Sequence, residues 1–123
     1  AQRNHLLQGL RNFEESAMPD LFSRRKHIAD GWITATNDES FLMVKELSEK
    51  ERLFVGPSTG AVMSAMVKIS QEMKSRGSIV GIFSYDGRKF KTLYKQLNLF
   101  DESQIASIIS ESKHLPSLAF DAN

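Results

Sequence analysis

The chain contains no cysteine, which excludes disulfides, cysteine-ligated zinc and a thiol nucleophile. It also has almost no net charge, because sixteen Lys and Arg against fifteen Asp and Glu leave +1. No overall field therefore draws it to nucleic acid or to an anionic membrane surface. Its apolar runs fall well short of the ~18–20 residues that span a bilayer. Internal repeats and low-complexity stretches are missing, and the three prolines and seven glycines are scattered rather than gathered into a linker. The opening Ala1-Gln2-Arg3-Asn4-His5 has neither an initiator Met nor an apolar signal region. Either processing removed an N-terminus or the chain is part of a longer protein. What remains is ordinary globular composition: 123 residues, 41% hydrophobic and 25% charged. That length suits a single domain and allows roughly two-thirds of the unfolded surface to be buried. The lack of cysteine agrees with a cytoplasmic setting.

Residues 1–31 read as irregular, punctuated by Gly9, Pro19 and Gly31, with Arg24-Arg25-Lys26-His27 as a solvated basic loop. Trp32 to Thr36 is rich in β-formers and predicts a short strand. Asn37 stands as an N-cap with Asp38 and Glu39 in the first turn, and Phe41, Val44 and Leu47 recur at helical spacing, predicting a helix over 38–50. Leu53-Phe54-Val55 predicts a very short strand ended by Gly56. Val62, Ala65, Met66, Ile69 and Met73 then trace one face of a helix from Pro57 to Ser75, with Gly77 as a left-handed stop. Ser78 to Phe83 is a continuous strand-like run, broken by Ser84-Tyr85-Asp86-Gly87. Phe90, Leu93, Tyr94 and Leu97 share a face of a basic helix. Asp101-x-x-Gln104 is a capping box opening a last helix with Ile105, Ile108 and Ile109 inward. Strand and helix alternate three times, which predicts an α/β domain of three layers: a mainly parallel sheet with helices on both faces. Three strands with open edges make a thin sheet.

The strongest local signal for chemistry is Leu53-Phe54-Val55-Gly56-Pro57-Ser58-Thr59-Gly60-Ala61, which runs from strand through a glycine turn into a helix. Small residues let backbone approach a ligand, and free amides at a helix start attract anions. No Lys follows the second glycine, so it is not a P-loop, and the three-glycine spacing of a dinucleotide fingerprint is absent. A tight turn with purely structural duties fits the residues as well as an anion site does. Gly56-x-Ser58-x-Gly60 also matches a hydrolase nucleophile elbow, with Asp86 and His114 in the required order, but few strands precede it. His5, His27 and His114 are far apart and without ligand spacing, so no metal site is expected. Glu14-Glu15 and Asp38-Glu39 read as solvated turns and helix starts rather than acid/base dyads.

Taken together, four blocks resemble the C-terminal part of the cysteine synthase and cystathionine β-synthase family, the fold-type-II pyridoxal-phosphate enzymes. His5-Leu6-Leu7-Gln8-Gly9-Leu10, with Met18-Pro19 closing it, resembles that family's His-x-Ile-x-Gly-Ile/Leu loop. Ile28 to Glu39 is similar to its stretch leading into a helix, and Leu53 to Ala61 to its Gly-x-Ser-Ser-Gly-Ala block. Ile79 to Phe90 resembles its strand and turn ending Asp-Ser-Gly-Glu-Arg-Tyr. The last two blocks are the specific ones, and the similarity covers residues 5 to 95.

The resemblance implies a partial fold-type-II architecture and a role as the C-terminal portion of an enzyme performing β-elimination and β-replacement on a serine-derived amino acid. It implies pyridoxal 5'-phosphate as cofactor, a small amino-acid substrate and a homodimer, with no nucleic acid or membrane as partner. Carried onto this sequence, Asp86 would face the pyridine nitrogen, where the family usually has Ser or Thr, and Gly9, Ser58 and Gly60 would line the cofactor pocket. The family's cofactor lysine and phosphate loop belong to an N-terminal half that these residues do not match. None of the nine lysines stands in that lysine's context, so this chain is expected to contribute no catalytic residue and to be inactive alone. The alternative is a free-standing, non-catalytic α/β module that binds or regulates.

Overall fold

The structure, a computed structural model, describes Arg24 and residues 28–111. Thr36 opens α1 (Asn37–Glu51) with a reciprocal capping box. Its hydroxyl accepts from the Glu39 amide at 3.2 Å, and the Glu39 carboxylate accepts from the Thr36 amide at 3.0 Å. The cap is therefore one residue earlier than expected, and Asn37 is the first helical residue. A hydroxyl three residues before a glutamate satisfies two orphan amides at once. Phe41, Val44 and Leu47 all turn inward as their spacing predicts. At the far end Arg52 adopts left-handed backbone, and the amides of Arg52 and Leu53 close on the Leu47 carbonyl.

The second helix, α2 (Pro57–Glu72), starts with Pro57 where a missing N–H costs nothing. It ends at Glu72, with Met73 extended, three residues short of the expected end and without using Gly77 as its stop. α1 and α2 pack through small residues: Ser40, Ser48, Gly60, Ala61 and Ser64 are all buried. A Cβ on Gly60 would run into the carbonyl oxygen of Ser40 and lie 2.9 Å from Val44 Cγ2. The bare glycine thus sets how closely the helices approach. Lys68 ties the pair together from outside, donating to the Thr34 carbonyl and to the Glu39 carboxylate, each at 2.9 Å.

After an extended stretch the chain enters a 3-10 turn (Gly87–Phe90), then α3 (Lys91–Gln96) and α4 (Glu102–Glu111). The Asp101–Gln104 capping box forms as expected, with reciprocal bonds of 2.7 and 2.8 Å. These elements close over α1 with Phe54, Phe90, Tyr94, Phe100 and Ile105. Tyr94 sits at the centre, its ring 5.8–6.3 Å from those of Phe41, Phe54, Phe90 and Phe100. Each such side chain contributes roughly 1.5–3 kcal/mol by leaving water.

The expected three-layer α/β fold, a mainly parallel sheet with helices on both faces, is not what the described residues form. They are helical and contain no strand; the only sheet-like pairing among them is an isolated antiparallel bridge between Val55 and Asp86. The physical reason is that a strand exists only when its amides and carbonyls meet those of a neighbour. Residues 32–36, 53–55 and 78–83 run as the β-rich composition suggests, without helix. Beyond the two bonds that flank the bridge, however, they do not pair with one another.

Candidate functional site

The Val55–Asp86 bridge brings together the two most informative blocks of the sequence. The Gly56 amide donates to the Tyr85 carbonyl and the Gly87 amide to the Phe54 carbonyl, each at 2.9 Å. The bonds flank the pair, so the Val55 and Asp86 backbone groups point away from each other. Val55 uses that freedom: its carbonyl accepts a 2.6 Å hydrogen bond from the Tyr94 hydroxyl. Gly56 is pressed against the Phe90 ring, where a Cβ would come within 2.8 Å, so no side chain fits between the turn and its aromatic wall.

The start of α2 differs from the starts of α1 and α4. Gly56 provides no side-chain cap, and no acidic residue lies in the first turn. The positive end of the helix is left uncompensated. Pro57 has no amide, and the Gly60 amide already donates to the Gly56 carbonyl at 3.2 Å. The Ser58 and Thr59 amides have no helical carbonyl to reach. Their side chains add a second anomaly. Ser58 is 5% exposed and Thr59 0% exposed, yet neither Oγ of Ser58 nor Oγ1 of Thr59 has a hydrogen-bond partner. A buried hydroxyl without a partner costs about 1–3 kcal/mol, so two of them side by side at a helix start mark a place where polar atoms are kept for something else.

Asp86 is differently occupied. Its Oδ1 accepts from the Arg88 amide at 2.8 Å and from Arg88 Nε at 3.0 Å, and its Oδ2 accepts from Arg88 Nη2 at 2.8 Å. The carboxylate caps the 3-10 turn and grips one guanidinium, which raises the pKa of Arg88 further above its ordinary value through those hydrogen bonds. Of the other expected pocket residues, Gly60 faces Ser40 of α1, and Gly9 lies outside the described residues. So do His5, Glu14, Glu15, Pro19, His27 and His114, and with His114 the hydrolase arrangement. Among the described residues no cluster of three or more His, Asp or Glu side chains is placed to hold a metal ion, and no helix is long and apolar enough to cross a membrane. Thr59 is the residue that sequence reasoning passed over; its only signal was the adjacent hydroxyl pair in Pro57-Ser58-Thr59-Gly60.

No protein-family model matches this chain, and no solved structure does. Two curated proteins do. A cysteine synthase of Aquifex aeolicus is 30% identical over 91 residues, 72% of this chain and 27% of that protein. A cysteine synthase of Buchnera aphidicola subsp. Acyrthosiphon pisum is 38% identical over 76 residues, 61% of this chain and 23% of that protein. The chain thus spans about a quarter of the length of each relative. The Gly-x-Ser-x-Gly helix start, the Asp86 turn beside it and these similarities together make the chain a relative of the cysteine synthases.

Proposed function

We propose that this chain corresponds to the C-terminal portion of a pyridoxal-phosphate-dependent β-replacement enzyme of the cysteine synthase type, acting on a serine-derived amino acid. The observation that supports this reading is the pair of buried, unpartnered hydroxyls of Ser58 and Thr59 at the uncompensated start of α2. They fit a polar ligand seated at the turn. Pyridoxal phosphate, when bound, supplies an electron sink for loss of a leaving group from the β-carbon and its replacement by a nucleophile.

The chain's own residues would orient and shield. Ser58 Oγ would offer a hydroxyl to the ring nitrogen, and the amides and hydroxyl beside it would hold negative charge at the helix start. Phe90 and Tyr85, packed on Gly56, would exclude water from the turn. Ser58 suits the ring-facing role better than Asp86, because the Asp86 carboxylate is engaged twice over by Arg88, whereas the Ser58 hydroxyl has nothing to release. Asp86 then positions the turn through the Val55 bridge and the 3-10 cap.

The test is a chimera in which residues 28–111 replace the matching residues of the Aquifex aeolicus cysteine synthase. Cofactor absorbance and cysteine formation that survive the exchange, and fall together in Ser58→Ala, bear the proposal out. A folded chimera that retains cofactor equally well with and without Ser58 would remove the basis for it and favour a non-catalytic binding module.

A further inference from the structure

The sequence holds two Asp-Gly links, Asp30–Gly31 and Asp86–Gly87. Such a link can rearrange without an enzyme. The glycine amide nitrogen lies within ring-closing reach of the preceding side-chain carboxyl, and no Cβ hinders its approach. The nitrogen attacks the aspartate Cγ and an N–Cγ bond forms. One carboxyl oxygen departs as water, taking the amide proton and a proton from solvent. Water then opens the resulting succinimide at either carbonyl. Opening at the former main-chain carbonyl leaves isoaspartate, whose main chain runs through Cβ and Cγ and whose α-carboxylate is free. The mass is unchanged, and neither oxidant nor cofactor is used.

The fold treats the two links in opposite ways. Gly87 is buried, and its amide donates to the Phe54 carbonyl at 2.9 Å. Both oxygens of the Asp86 carboxylate accept from the Arg88 guanidinium, at 3.0 and 2.8 Å, and these charge-assisted bonds must be given up before Cγ is attacked. Room is lacking as well. A Cβ on Gly87 would lie 2.8 Å from Phe54 Cγ and 2.9 Å from the Val55 nitrogen, so the turn cannot rearrange without lifting off Phe54. Asp30–Gly31 has none of this. Both residues are exposed and outside any helix, and neither has a hydrogen-bond or ionic partner among the described residues. A Cβ on Gly31 would meet nothing within 4 Å. The consequences differ too. An added methylene at residue 86 would disrupt the Gly87–Phe54 and Gly56–Tyr85 bonds that join the two blocks. Asp30, by contrast, precedes the Thr36 cap and lies outside the bonding of α1. We propose that Asp30–Gly31 is a site of spontaneous isoaspartate formation in the native chain, and that the Arg88 clamp suppresses the same reaction at Asp86–Gly87. The difference in rate follows the free energy needed to open each link locally. The inference does not depend on the cofactor reading.

The test ages the 123-residue chain near neutral pH, with and without guanidinium chloride. Electron-transfer fragmentation of the digested chain distinguishes isoaspartate from aspartate at each link. An isoaspartyl methyltransferase with S-adenosylmethionine counts the total. The unfolded chain supplies the intrinsic rates, expected to be close to equal because glycine follows aspartate in both. In the native chain Asp30–Gly31 should keep nearly its unfolded rate. Asp86–Gly87 should be slower by about tenfold or more, the factor that about 1.4 kcal/mol of protection supplies. Arg88→Gln loses the charge but keeps the backbone amide, and should raise the rate at residue 86 by on the order of tenfold while leaving residue 30 unchanged. Lys89→Gln, which alters a cation lying over the Tyr85 ring, should change neither. Arg88→Lys keeps the charge but not the two-pronged grip. It should give an intermediate rate, and it keeps the Arg88 arm open should Arg88→Gln fail to fold. Equal native rates at the two links overturn the proposal. So does a faster reaction at residue 86, or isoaspartate at residue 30 that appears only in guanidinium chloride. A native rate at residue 86 that the Arg88 variants leave unchanged overturns the role given to Arg88.

Discussion

The Tyr94 hydroxyl donates to the Val55 carbonyl at 2.6 Å, joining the centre of the aromatic core to the residue that leads into the Gly56 turn. Burial pushes the Tyr94 phenol well above the ordinary tyrosine range, so it remains a donor at every pH at which the protein is handled. The bond fixes one wall of the candidate site to the core. A rearrangement at Tyr94 would therefore be felt at Ser58, three residues beyond Val55.

Tyr94→Phe keeps the ring but orphans a buried carbonyl. It is expected to cost about 1–3 kcal/mol in urea denaturation. Tyr85→Phe removes a hydroxyl from a ring that is more than a third exposed and should stay within about 0.5 kcal/mol. Equal losses for the two would mean that the 2.6 Å bond contributes nothing beyond ring packing.

Gly60 carries the helix–helix approach. Because a Cβ there meets backbone of Ser40 rather than a flexible side chain, Gly60→Ala should destabilise by about 1–3 kcal/mol through overpacking, despite the better helix propensity of Ala. Ser70→Ala, on the exposed side of the same helix, should change stability by less than about 0.5 kcal/mol. Thermal denaturation of the two variants side by side decides it. If Gly60→Ala is the more stable, the contact with Ser40 is not tight.

Both capping boxes leave a pH signature. The Thr36 amide, then Lys68, hold Glu39 below its ordinary pKa, and the Gln104 amide, then the Ser103 hydroxyl, do the same for Asp101. A carboxylate whose folded pKa is depressed contributes stability that is fully present above its unfolded value and lost as pH falls through the folded one. The urea midpoint should therefore hold steady above about pH 5 and decline below about pH 4. Glu39→Gln with Asp101→Asn should flatten that decline by lowering the neutral-pH midpoint toward its low-pH value, since the stability the two carboxylates contribute is then missing at every pH. A slope unaffected by the double variant would place the acid sensitivity elsewhere.

How much of this was legible in sequence follows from what each feature needs. The helices needed only local information. Phe41, Val44 and Leu47 turn inward at their spacing, and Asp101 with Gln104 forms its box, because caps and periodicity act within one or two turns. The sheet was not legible, since Ser78–Phe83 has the composition of a buried strand but meets no neighbouring strand among the described residues. The buried face of α2 was missed for a related reason. Periodicity selected Val62, Ala65, Met66, Ile69 and Met73, whereas close helix approach buries Ser58, Thr59, Gly60, Ala61 and Ser64. Small residues carry no hydropathy signal for such contacts. That Arg88, two residues on, folds back on the Asp86 carboxylate could not be read from the sequence either. That Ser58 and Thr59 lack partners is a property of the folded surroundings and has no sequence signature.

Those two hydroxyls allow function and stability to be separated in one experiment. If Ser58 and Thr59 are kept polar for a ligand, the chain alone is burdened by them, because each is buried and unsatisfied. Ser58→Ala and the near-isosteric Thr59→Val should then raise the stability of the 123-residue chain, on the order of 1 kcal/mol each, by removing a desolvated group that makes no bond. In the chimera with the Aquifex aeolicus enzyme the same changes should act in the opposite direction, weakening cofactor retention. Asp86→Ala should show the reverse pattern: it strips the 3-10 cap and releases Arg88, so it destabilises the chain by about 0.5–2 kcal/mol. Any loss of cofactor in that variant should follow the loss of folded protein. Denaturation midpoints of the free chain, set against cofactor absorbance of the chimera, measure both axes. Should Ser58→Ala destabilise the free chain as Asp86→Ala does, its hydroxyl is part of the fold's own bonding, and the helix start of α2 is a structural turn.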